Sequence, residues 1–323
     1  MKKIGVLTSG GDAPGMNAAI RAVVRTAVYY EREVVGVIRG FQGLIDNEFE
    51  PLDSRSVKNI LNLGGTFLKS ARSDAFRTKE GRELAYHNCK KADLDGLVVI
   101  GGNGSFTGAH LFTKEFGLPV IGIPGTIDND LYGTDFTLGY DSATNVVTEC
   151  VDKIRDTASS HNRLFFVEVM GRDTGFIALR TAVATGALDV ILPEANRTME
   201  ELLSEIARGF ANRKTSNIVL VAEGNRLGNT FEIAERVKDH YPFIDAKVTI
   251  LGHLQRGGSP SCFDRVLASK LGVAAVEALF DGKTDVMCGV VNNEVTFTFL
   301  QKAIQNQVPL NMDLLRISKI LSI

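Results

Sequence analysis

The chain is 323 residues long, enough for two α/β domains of ordinary size. Its 36 basic and 38 acidic residues nearly balance, which argues against a nucleic-acid or membrane partner and favours small-molecule ligands. The four cysteines lack metal-ligand spacing, and neither a leader peptide nor a long apolar span is apparent, so we expect a soluble, cytoplasmic protein with free thiols.

Apolar runs and helical periodicity alternate along the chain. The predicted strands are residues 4–7, 34–38, 97–100, 164–169, 190–192, 218–221, 248–251 and 287–291. The predicted helices are residues 16–30, 54–63, 78–91, 142–160, 199–212, 231–240 and 264–280, with one more that carries Arg180. This order predicts an α/β fold of two Rossmann-like lobes, with mainly parallel sheets flanked by helices.

Two loops follow neighbouring apolar runs and bear polar residues suited to phosphate chemistry. Gly101-Gly102-Asn103-Gly104-Ser105 is a candidate phosphate cradle, because glycines let backbone N–H groups approach an anion. Pro124-Gly125-Thr126-Ile127-Asp128-Asn129-Asp130 offers one carboxylate as a base and another for a metal. Either loop alone is also typical of ordinary turns, whereas the pair favours phosphoryl transfer.

Three further polar stretches have weaker individual signals. The loop at 8–15 lacks both the Walker and the dinucleotide fingerprints, although Gly11 would let its backbone approach a phosphoryl group. Arg72 is by itself typical of a solvated surface charge. His253 and Arg256 flank a glycine-rich turn, where arginine suits a sugar phosphate and a purely structural turn is the alternative.

Five motifs in order resemble the bacterial ATP-dependent 6-phosphofructokinase family. They are Thr-Ser-Gly-Gly-Asp-Ala-Pro-Gly at 8–15, Gly-Gly-Asn-Gly-Ser at 101–105, Pro-Gly-Thr-Ile-Asp-Asn-Asp at 124–130, Val-Glu-Val-Met-Gly-Arg at 167–172 and Leu-Gly-His-Leu-Gln-Arg-Gly-Gly-Ser-Pro at 251–260. The resemblance covers nearly the whole chain. It implies transfer of the ATP γ-phosphoryl group to the 1-hydroxyl of fructose 6-phosphate with Mg²⁺, the committed step of glycolysis, in a homotetramer of two-lobed subunits.

The resemblance also implies a role for each matched residue. The ATP-binding lobe would comprise residues 1–141 and 257–305, and the sugar-phosphate lobe residues 142–256 and 306–323. The catalytic residues would be Asp128, as the base, with Thr126 and Arg172. ATP would be bound by Gly11, Arg72, Ser73, Gly102, Asn103, Gly104 and Ser105, with Asn103 and Asp130 at the metal. The sugar phosphate would contact Thr126, Asp128, Met170, Gly171, Arg172, Glu223, His253 and Arg256, with Arg163 and Lys247 reaching it from a neighbouring subunit.

Four positions refine what the resemblance implies. Family members that use pyrophosphate generally carry an acid and a lysine where this chain has Gly104 and Gly125, so ATP is favoured as the donor. Asn103 replaces the usual aspartate and lacks the negative charge that attracts Mg²⁺, so we expect weaker metal affinity. Lys247 replaces an arginine, and we expect somewhat weaker or less directional binding of fructose 6-phosphate.

The family's effector site for ADP or phosphoenolpyruvate is only partly matched. Its basic residues are present as Arg21, Arg25, Arg155 and Lys214, which could equally form a generic anion pocket or solvated helix faces. Its other charged or polar ligands are replaced by Ser54, Asn59, Leu188, Asn212 and Ser216. Leu188 stands in place of the glutamate expected near the effector's metal, so we expect weakened or altered allostery.

Three alternative functions remain open at this point. A pyrophosphate-dependent phosphofructokinase is disfavoured by Gly104 and Gly125. A related kinase for a nucleotide or lipid is disfavoured by the motifs at 167–172 and 251–260. A sugar-phosphate-binding regulatory homologue, catalytically weakened through Asn103, is disfavoured by the presence of Asp128, Thr126 and Arg172.

Overall fold

A computed structural model describes residues 1–159, 163–211 and 217–322. The chain divides into two compact units, each made of two segments. Unit 1 comprises Met1–Ser142 and Arg256–Val308, and unit 2 comprises the described residues of Ala143–Gln255 and Pro309–Ile323. The boundaries predicted after residues 141, 256 and 305 differ from those of the two units by one, one and three residues, respectively. Which ligand each unit binds remains a prediction.

Strands and helices alternate along the described chain. The strands are β1 (Lys3–Thr8), β2 (Glu33–Val37), β3 (Phe49–Leu52), β4 (Gly96–Gly101), β5 (Val120–Pro124), β6 (Leu164–Val169), β7 (Asp189–Ile191), β8 (Asn217–Ala222), β9 (Ala246–Ile250), β10 (Val286–Val291) and β11 (Glu294–Phe299). The helices are α1 (Met16–Tyr29), α2 (Gly40–Ile45), α3 (Lys79–Lys91), α4 (Asn103–Phe116), α5 (Tyr140–Ser159), α6 (Phe176–Thr185), α7 (Met199–Ala211), α8 (Thr230–His240), α9 (Cys262–Phe280), α10 (Leu300–Gln305) and α11 (Met312–Leu321). Short 3-10 turns occupy Ala75–Arg77 and Gly252–Arg256.

The two units contain separate sheets. Among the described residues, unit 1 has a seven-stranded sheet of order β11-β10-β5-β4-β1-β2-β3, in which only the β2–β3 and β10–β11 pairs are antiparallel. Unit 2 has a parallel sheet of order β7-β8-β6-β9. The predicted α/β class with mainly parallel sheets is confirmed. No helix in the described ranges is both long enough and apolar enough to cross a bilayer.

One predicted helix, at 54–63, is wrong. The side chain of Asp53 does cap this stretch, accepting hydrogen bonds from the N–H groups of Arg55 at 2.8 Å and Ser56 at 2.7 Å. The chain then continues as turns, and Asn59 adopts a left-handed φ of 62° that a helix cannot contain. The local Asx hydrogen bonds thus take the place of helical ones. Residues 160 and 212, the predicted ends of two other helices, lie outside the described residues.

Each unit has its own apolar core. In unit 1, Phe106 and Phe112 of α4 are fully buried beside the sheet. In unit 2, Leu188 packs with Phe166 and Ile206 and is 4% exposed. An alanine Cβ at Gly209 would lie 2.7 Å from Cδ1 of Leu188, which shows how closely this side chain is enclosed.

We predict that Gly122→Ala destabilises unit 1. A Cβ at Gly122 on β5 would lie 2.7 Å from Cε1 of Phe106, so α4 would be pushed from the sheet at a cost of about 1–3 kcal/mol. Gly104→Ala is the matched control, because a Cβ there meets nothing within 4 Å, and alanine stabilises helices by up to about 1 kcal/mol. Urea unfolding followed by circular dichroism measures both, and equal midpoints would contradict the predicted clash.

We predict that Leu188→Glu destabilises unit 2 in a pH-dependent way. Burial disfavours the charged carboxylate and raises its pKa, so the loss grows as the pH rises above the ordinary glutamate value of about 4.3, reaching at least about 2 kcal/mol at neutral pH. Leu188→Met conserves volume and should cost less than about 1.5 kcal/mol at either pH. Unfolding midpoints at pH 4.5 and 7.5 test this. A glutamate variant as stable as the methionine variant at pH 7.5 would mean that side chain 188 reaches solvent.

Candidate active site

Three loops of unit 1 begin side by side at the carboxyl ends of β1, β4 and β5. Thr8 pairs with Ile100 across β1 and β4, and Gly101 pairs with Pro124 across β4 and β5. The ladder extends one residue into the loops, where Gly125 N–H donates to the carbonyl of Gly101 at 2.9 Å. Ligands of open α/β sheets bind at this edge. The sheet therefore brings together the three loops that the motifs single out.

The amino end of α4 is open to an anion. Gly102 caps this helix without a side-chain hydrogen bond, and no acidic residue lies in the first turn. Gly104 is exposed, and no other atom lies within 4 Å of where its Cβ would be. Ser105 is buried, and its Oγ packs closely against Gly101: a Cβ at Gly101 would lie 2.5 Å from this oxygen. The backbone N–H groups of this turn are thus available to a phosphate.

Asn103 and Asp130 meet beside this helix end. Asn103 Nδ2 donates to Asp130 Oδ2 at 2.6 Å, so an amide and a carboxylate lie together. Among the described residues, no group of three or more His, Cys, Asp or Glu is placed to hold a metal. Mg²⁺ commonly takes only one or two protein ligands, with phosphate and water oxygens completing its shell. The pair suits a cation that arrives with a phosphate ligand.

The loop after β5 encloses a buried carboxylate. Asp128 is 5% exposed and Thr126 is 8% exposed, and Asp128 N–H donates to Thr126 Oγ1 at 3.2 Å. A Cβ at Gly125 would lie 3.0 Å from Ile100 Cγ2 and 3.1 Å from Met16 Cε. Only glycine fits there without displacement of its neighbours, so the loop leaves β5 tightly packed.

Asn129 and Thr137 hold the Asp128 loop from behind, and sequence reasoning missed both. Thr137 is fully buried, with its Oγ1 donating to the carbonyl of Thr126 and its N–H donating to Asn129 Oδ1 at 2.7 Å. Asn129 has a φ of 53°, a left-handed conformation that asparagine tolerates better than most residues. An asparagine between two aspartates was a usable signal, whereas nothing local marked Thr137.

Arg256 lies against the loop after β1. Its Nη1 donates to the carbonyl of Asp12 at 3.0 Å, and a Cβ at Gly11 would lie 2.8 Å from the same nitrogen. Gly11 therefore allows a guanidinium to approach the candidate phosphate loop. The sequence grouped Arg256 with His253, yet Arg256 belongs to unit 1, and His253 is an exposed residue of unit 2.

Arg72 and Ser73 differ in how they are engaged. Arg72 is exposed, as a phosphate-binding or a solvated arginine would be. The Ser73 hydroxyl donates to Gln42 Oε1 at 2.7 Å and accepts from Phe76 N–H at 3.2 Å. This hydroxyl is therefore occupied in holding the turn at Ala75–Arg77.

In unit 2, the loop after β6 is held by two side chains. Glu223 Oε1 accepts from the N–H groups of Gly171 at 3.2 Å and Arg172 at 2.7 Å. Gln255, fully buried and not singled out by the sequence, accepts from Met170 N–H at 3.2 Å. Arg172 has a φ of 54° and is exposed. Glu223, predicted to bind the sugar, thus also shapes the loop that presents Arg172.

Arg163 and Lys247 converge on one carboxylate in unit 2. Arg163 Nε lies 2.8 Å from Asp245 Oδ2, and Lys247 Nζ lies 2.7 Å from Asp245 Oδ1. Hydrogen bonds from Lys247 and Arg163 lower the pKa of Asp245. The two cations predicted to share one phosphate are therefore neighbours, and the trio keeps a net positive charge. Asp245 was missed, although it lies two residues before Lys247.

The predicted effector residues are distributed over both units. Arg21 and Arg25 lie about one turn apart on α1, and burial, followed by repulsion from Arg25, lowers the pKa of Arg21. Arg155 on α5 donates to the carbonyl of Thr185 at the end of α6. Ser54 and Asn59 lie in the turn region of unit 1. Lys214, Asn212 and Ser216 lie outside the described residues.

Comparison with known proteins agrees with these observations along the whole chain. The family model for phosphofructokinase matches residues 3–279. ATP-dependent 6-phosphofructokinase 2 of Bacteroides thetaiotaomicron is 55% identical over 100% of this chain and 99% of its own length. ATP-dependent 6-phosphofructokinase 1 of Thermus thermophilus is 50% identical over 100% of both chains.

A solved structure extends the likeness to three dimensions. Phosphofructokinase from Saccharomyces cerevisiae superposes with a TM-score of 0.90 at 37% identity, covering 94% of this chain and 45% of that longer one. The family match and the full-length relatives agree with the fold and with the five motifs. The chain belongs to the phosphofructokinase family.

Proposed function

We propose that this protein transfers the γ-phosphoryl group of ATP to the 1-hydroxyl of fructose 6-phosphate, giving fructose 1,6-bisphosphate and ADP, the committed step of glycolysis in the cytoplasm. The observation that carries the proposal is the buried Asp128, held beside Thr126 next to the open amino end of α4. Full-length relatives at 55% and 50% identity bear the name ATP-dependent 6-phosphofructokinase.

The proposed chemistry needs alignment, a base and fixed positive charge. Asp128 accepts the proton of the 1-hydroxyl while the hydroxyl oxygen attacks the γ-phosphorus of ATP. The bond between the γ-phosphorus and the bridging oxygen breaks, and that oxygen leaves with ADP. The donor is held by Gly11, by the loop at Gly102, Asn103, Gly104 and Ser105, and by the side chain of Arg72 with the loop at Ser73. Thr126 and Arg172 stabilise the transferring group through hydrogen bonding and charge.

Asn103 and Asp130 are the residues proposed to hold Mg²⁺ with the donor phosphates. Their 2.6 Å contact joins an amide to a carboxylate, and rotation of the amide would present its oxygen instead of its nitrogen. Bound Mg²⁺ would neutralise charge on the donor phosphates. With one formal negative charge between them, these two residues should bind the metal more weakly than two carboxylates.

The packing around two glycines supports ATP over pyrophosphate as the donor. A longer side chain at position 125 would press on Ile100 and Met16, because even a Cβ would lie 3.0 and 3.1 Å from them. Gly104 leaves the first turn of α4 open, with space for a nucleotide instead of an acidic side chain. Both features agree with the donor in the names of the full-length relatives.

Most residues proposed to bind the sugar phosphate belong to unit 2. Met170, Gly171, Arg172 and Glu223 would contact the sugar, and His253 with Arg256 of unit 1 would contact its 6-phosphate. Arg163 and Lys247, which converge on Asp245, would supply charge to the same phosphate from a neighbouring subunit of a homotetramer. A dianionic phosphate suits two cations that share a single carboxylate.

We predict that Asp128→Asn lowers kcat by roughly 10²- to 10⁴-fold, because the amide cannot accept the hydroxyl proton. The KM values should change much less. The assay couples fructose 1,6-bisphosphate formation to absorbance and supplies ATP or pyrophosphate with Mg²⁺ in parallel. Asp313→Asn, at an exposed position of α11, is the matched control and should keep wild-type rates.

Three outcomes would decide against the proposed reaction or part of it. Turnover with pyrophosphate alone would overturn the donor assignment. Binding of fructose 6-phosphate without turnover by either donor would favour the regulatory homologue. An Asp128→Asn variant with wild-type kcat would remove Asp128 from its role as base.

We predict that Asn103→Asp lowers the Mg²⁺ concentration needed for half-maximal rate, because a second carboxylate beside Asp130 attracts the cation. Asp130→Asn leaves no carboxylate in the pair and should raise that concentration. Magnesium titrations at saturating ATP and fructose 6-phosphate measure both variants. An unchanged or increased requirement in Asn103→Asp would contradict the proposed metal pair.

A further inference from the structure

The carboxylate of Asp264 is completely buried in unit 1 and accepts three hydrogen bonds. Gly139 N–H donates to Oδ1 at 2.9 Å, while the N–H and the hydroxyl of Ser142 donate to Oδ2 at 2.8 and 2.5 Å. Burying a carboxylate is costly unless such donors replace its hydration. No chemical step of the proposed reaction uses this group, so its burial requires another explanation.

Asp264 joins the amino ends of two helices, α5 and α9. Ser261 caps α9: its Oγ accepts from Asp264 N–H at 3.2 Å and donates to Asp141 at 2.7 Å. Ser261 N–H also donates to Ser142 Oγ at 2.8 Å. Burial raises the pKa of Asp264, whereas hydrogen bonds from Ser142 and Gly139 oppose that rise. The positive ends of both helices also favour a negative charge here.

The segment hydrogen-bonded to Asp264 also makes hydrogen bonds to the loop that contains Asp128. The residue before Gly139 is Leu138, whose N–H donates to the carbonyl of Pro124 at 2.8 Å. Next is Thr137, whose hydroxyl donates to the carbonyl of Thr126. Only one residue, Leu138, therefore separates the anchor at Gly139 from Thr137 and its direct hydrogen bond to the loop of the proposed base.

Asp264 also lies beside Gly15, at the end of the loop after β1. Gly15, at the start of α1, has a φ of 100°, and a Cβ there would lie 3.6 Å from the Cβ of Asp264. A Cβ at Gly139 would lie 2.8 Å from the Cβ of Ala13. The loop after β1 and the segment at 137–142 thus pack together where Asp264 is buried.

We infer that Asp264 is a positioning residue, whose buried carboxylate holds the segment at 137–142 and thereby sets the place of Asp128 relative to the loop that would hold the donor phosphate. The inference rests on the proposed kinase function for its effect on rate, but its structural claim is independent of that function. Small displacements of a base from its substrate cost large factors in rate.

The test compares Asp264→Asn and Ser142→Ala with the wild-type protein by two readouts. In Asp264→Asn the amide NH₂ must face one of the three donors, so the anchor is broken; we expect kcat per folded molecule to fall about 10- to 100-fold, with KM values within about threefold. Ser142→Ala keeps both backbone donors and should reduce kcat less. Amide hydrogen exchange of peptides covering 124–139 should be faster in both variants.

Glu115→Gln is the matched control for lost stability. Glu115 accepts two hydrogen bonds from the largely buried Arg82, each 2.7 Å long, in the same unit. Loss of the negative charge at position 115 weakens this buried ion pair without changing the segment anchored by Asp264. We expect wild-type kcat per folded molecule and unchanged exchange at 124–139 in this variant.

Each outcome decides the inference. Slower turnover and faster exchange at 124–139 in the Asp264 variant, but not in the Glu115 variant, would support it. Exchange at 124–139 equal to that of Glu115→Gln would overturn it and leave Asp264 with a stabilising role only. If Asp264→Asn does not fold, Ser142→Ala decides by the same exchange comparison. If the wild-type protein turns over neither donor, the proposed function fails, and exchange still decides the place of Asp264.

Discussion

The parallel pairing of β1, β4 and β5 is the constraint on which the candidate site of unit 1 depends. Parallel strands run in one direction, so the chain leaves all three at one edge, and the register places Thr8, Gly101 and Pro124 at that edge. The glycine-rich loop at 8–15, the amino end of α4 and the buried carboxylate of Asp128 become neighbours although up to about 120 residues separate them in the chain. Phosphoryl transfer needs such alignment more than it needs covalent help from the protein.

The loops themselves depend on buried polar side chains behind them. Thr137 and Asn129 hold the turn that contains Asp128, and Glu223 with Gln255 holds the turn that presents Arg172. In each unit a side chain replaces backbone partners that an irregular loop lacks. Loops held in this way keep a reactive group in place at little further cost in entropy when a ligand binds.

Charge is arranged differently in the two units. In unit 1, Asp130 contacts Asn103 in the first turn of α4, and the guanidinium of Arg256 lies against the carbonyl of Asp12. In unit 2, Arg163 and Lys247 both pair with Asp245, whose carboxylate holds the two cations close together. The lysine at position 247 retains its charge but offers no planar fork, so in the proposed phosphate site the directional hydrogen bonds would come from Arg163.

Local patterns were enough to predict the fold class, most of the parallel strands and the loops that carry the candidate chemistry, because strand and helix periodicity and glycine-rich turns are local properties. They failed at residues 54–63, where the side chain of Asp53 and the left-handed Asn59 produce turns from a helix-like composition. Only the tertiary structure revealed the contacts of Thr137 and Gln255 with those loops and of Asp264 with Gly139, since these hydrogen bonds join residues that no short pattern links. It also showed that Leu188 is buried in the core of unit 2, because its neighbours Phe166 and Ile206 come from distant parts of the chain.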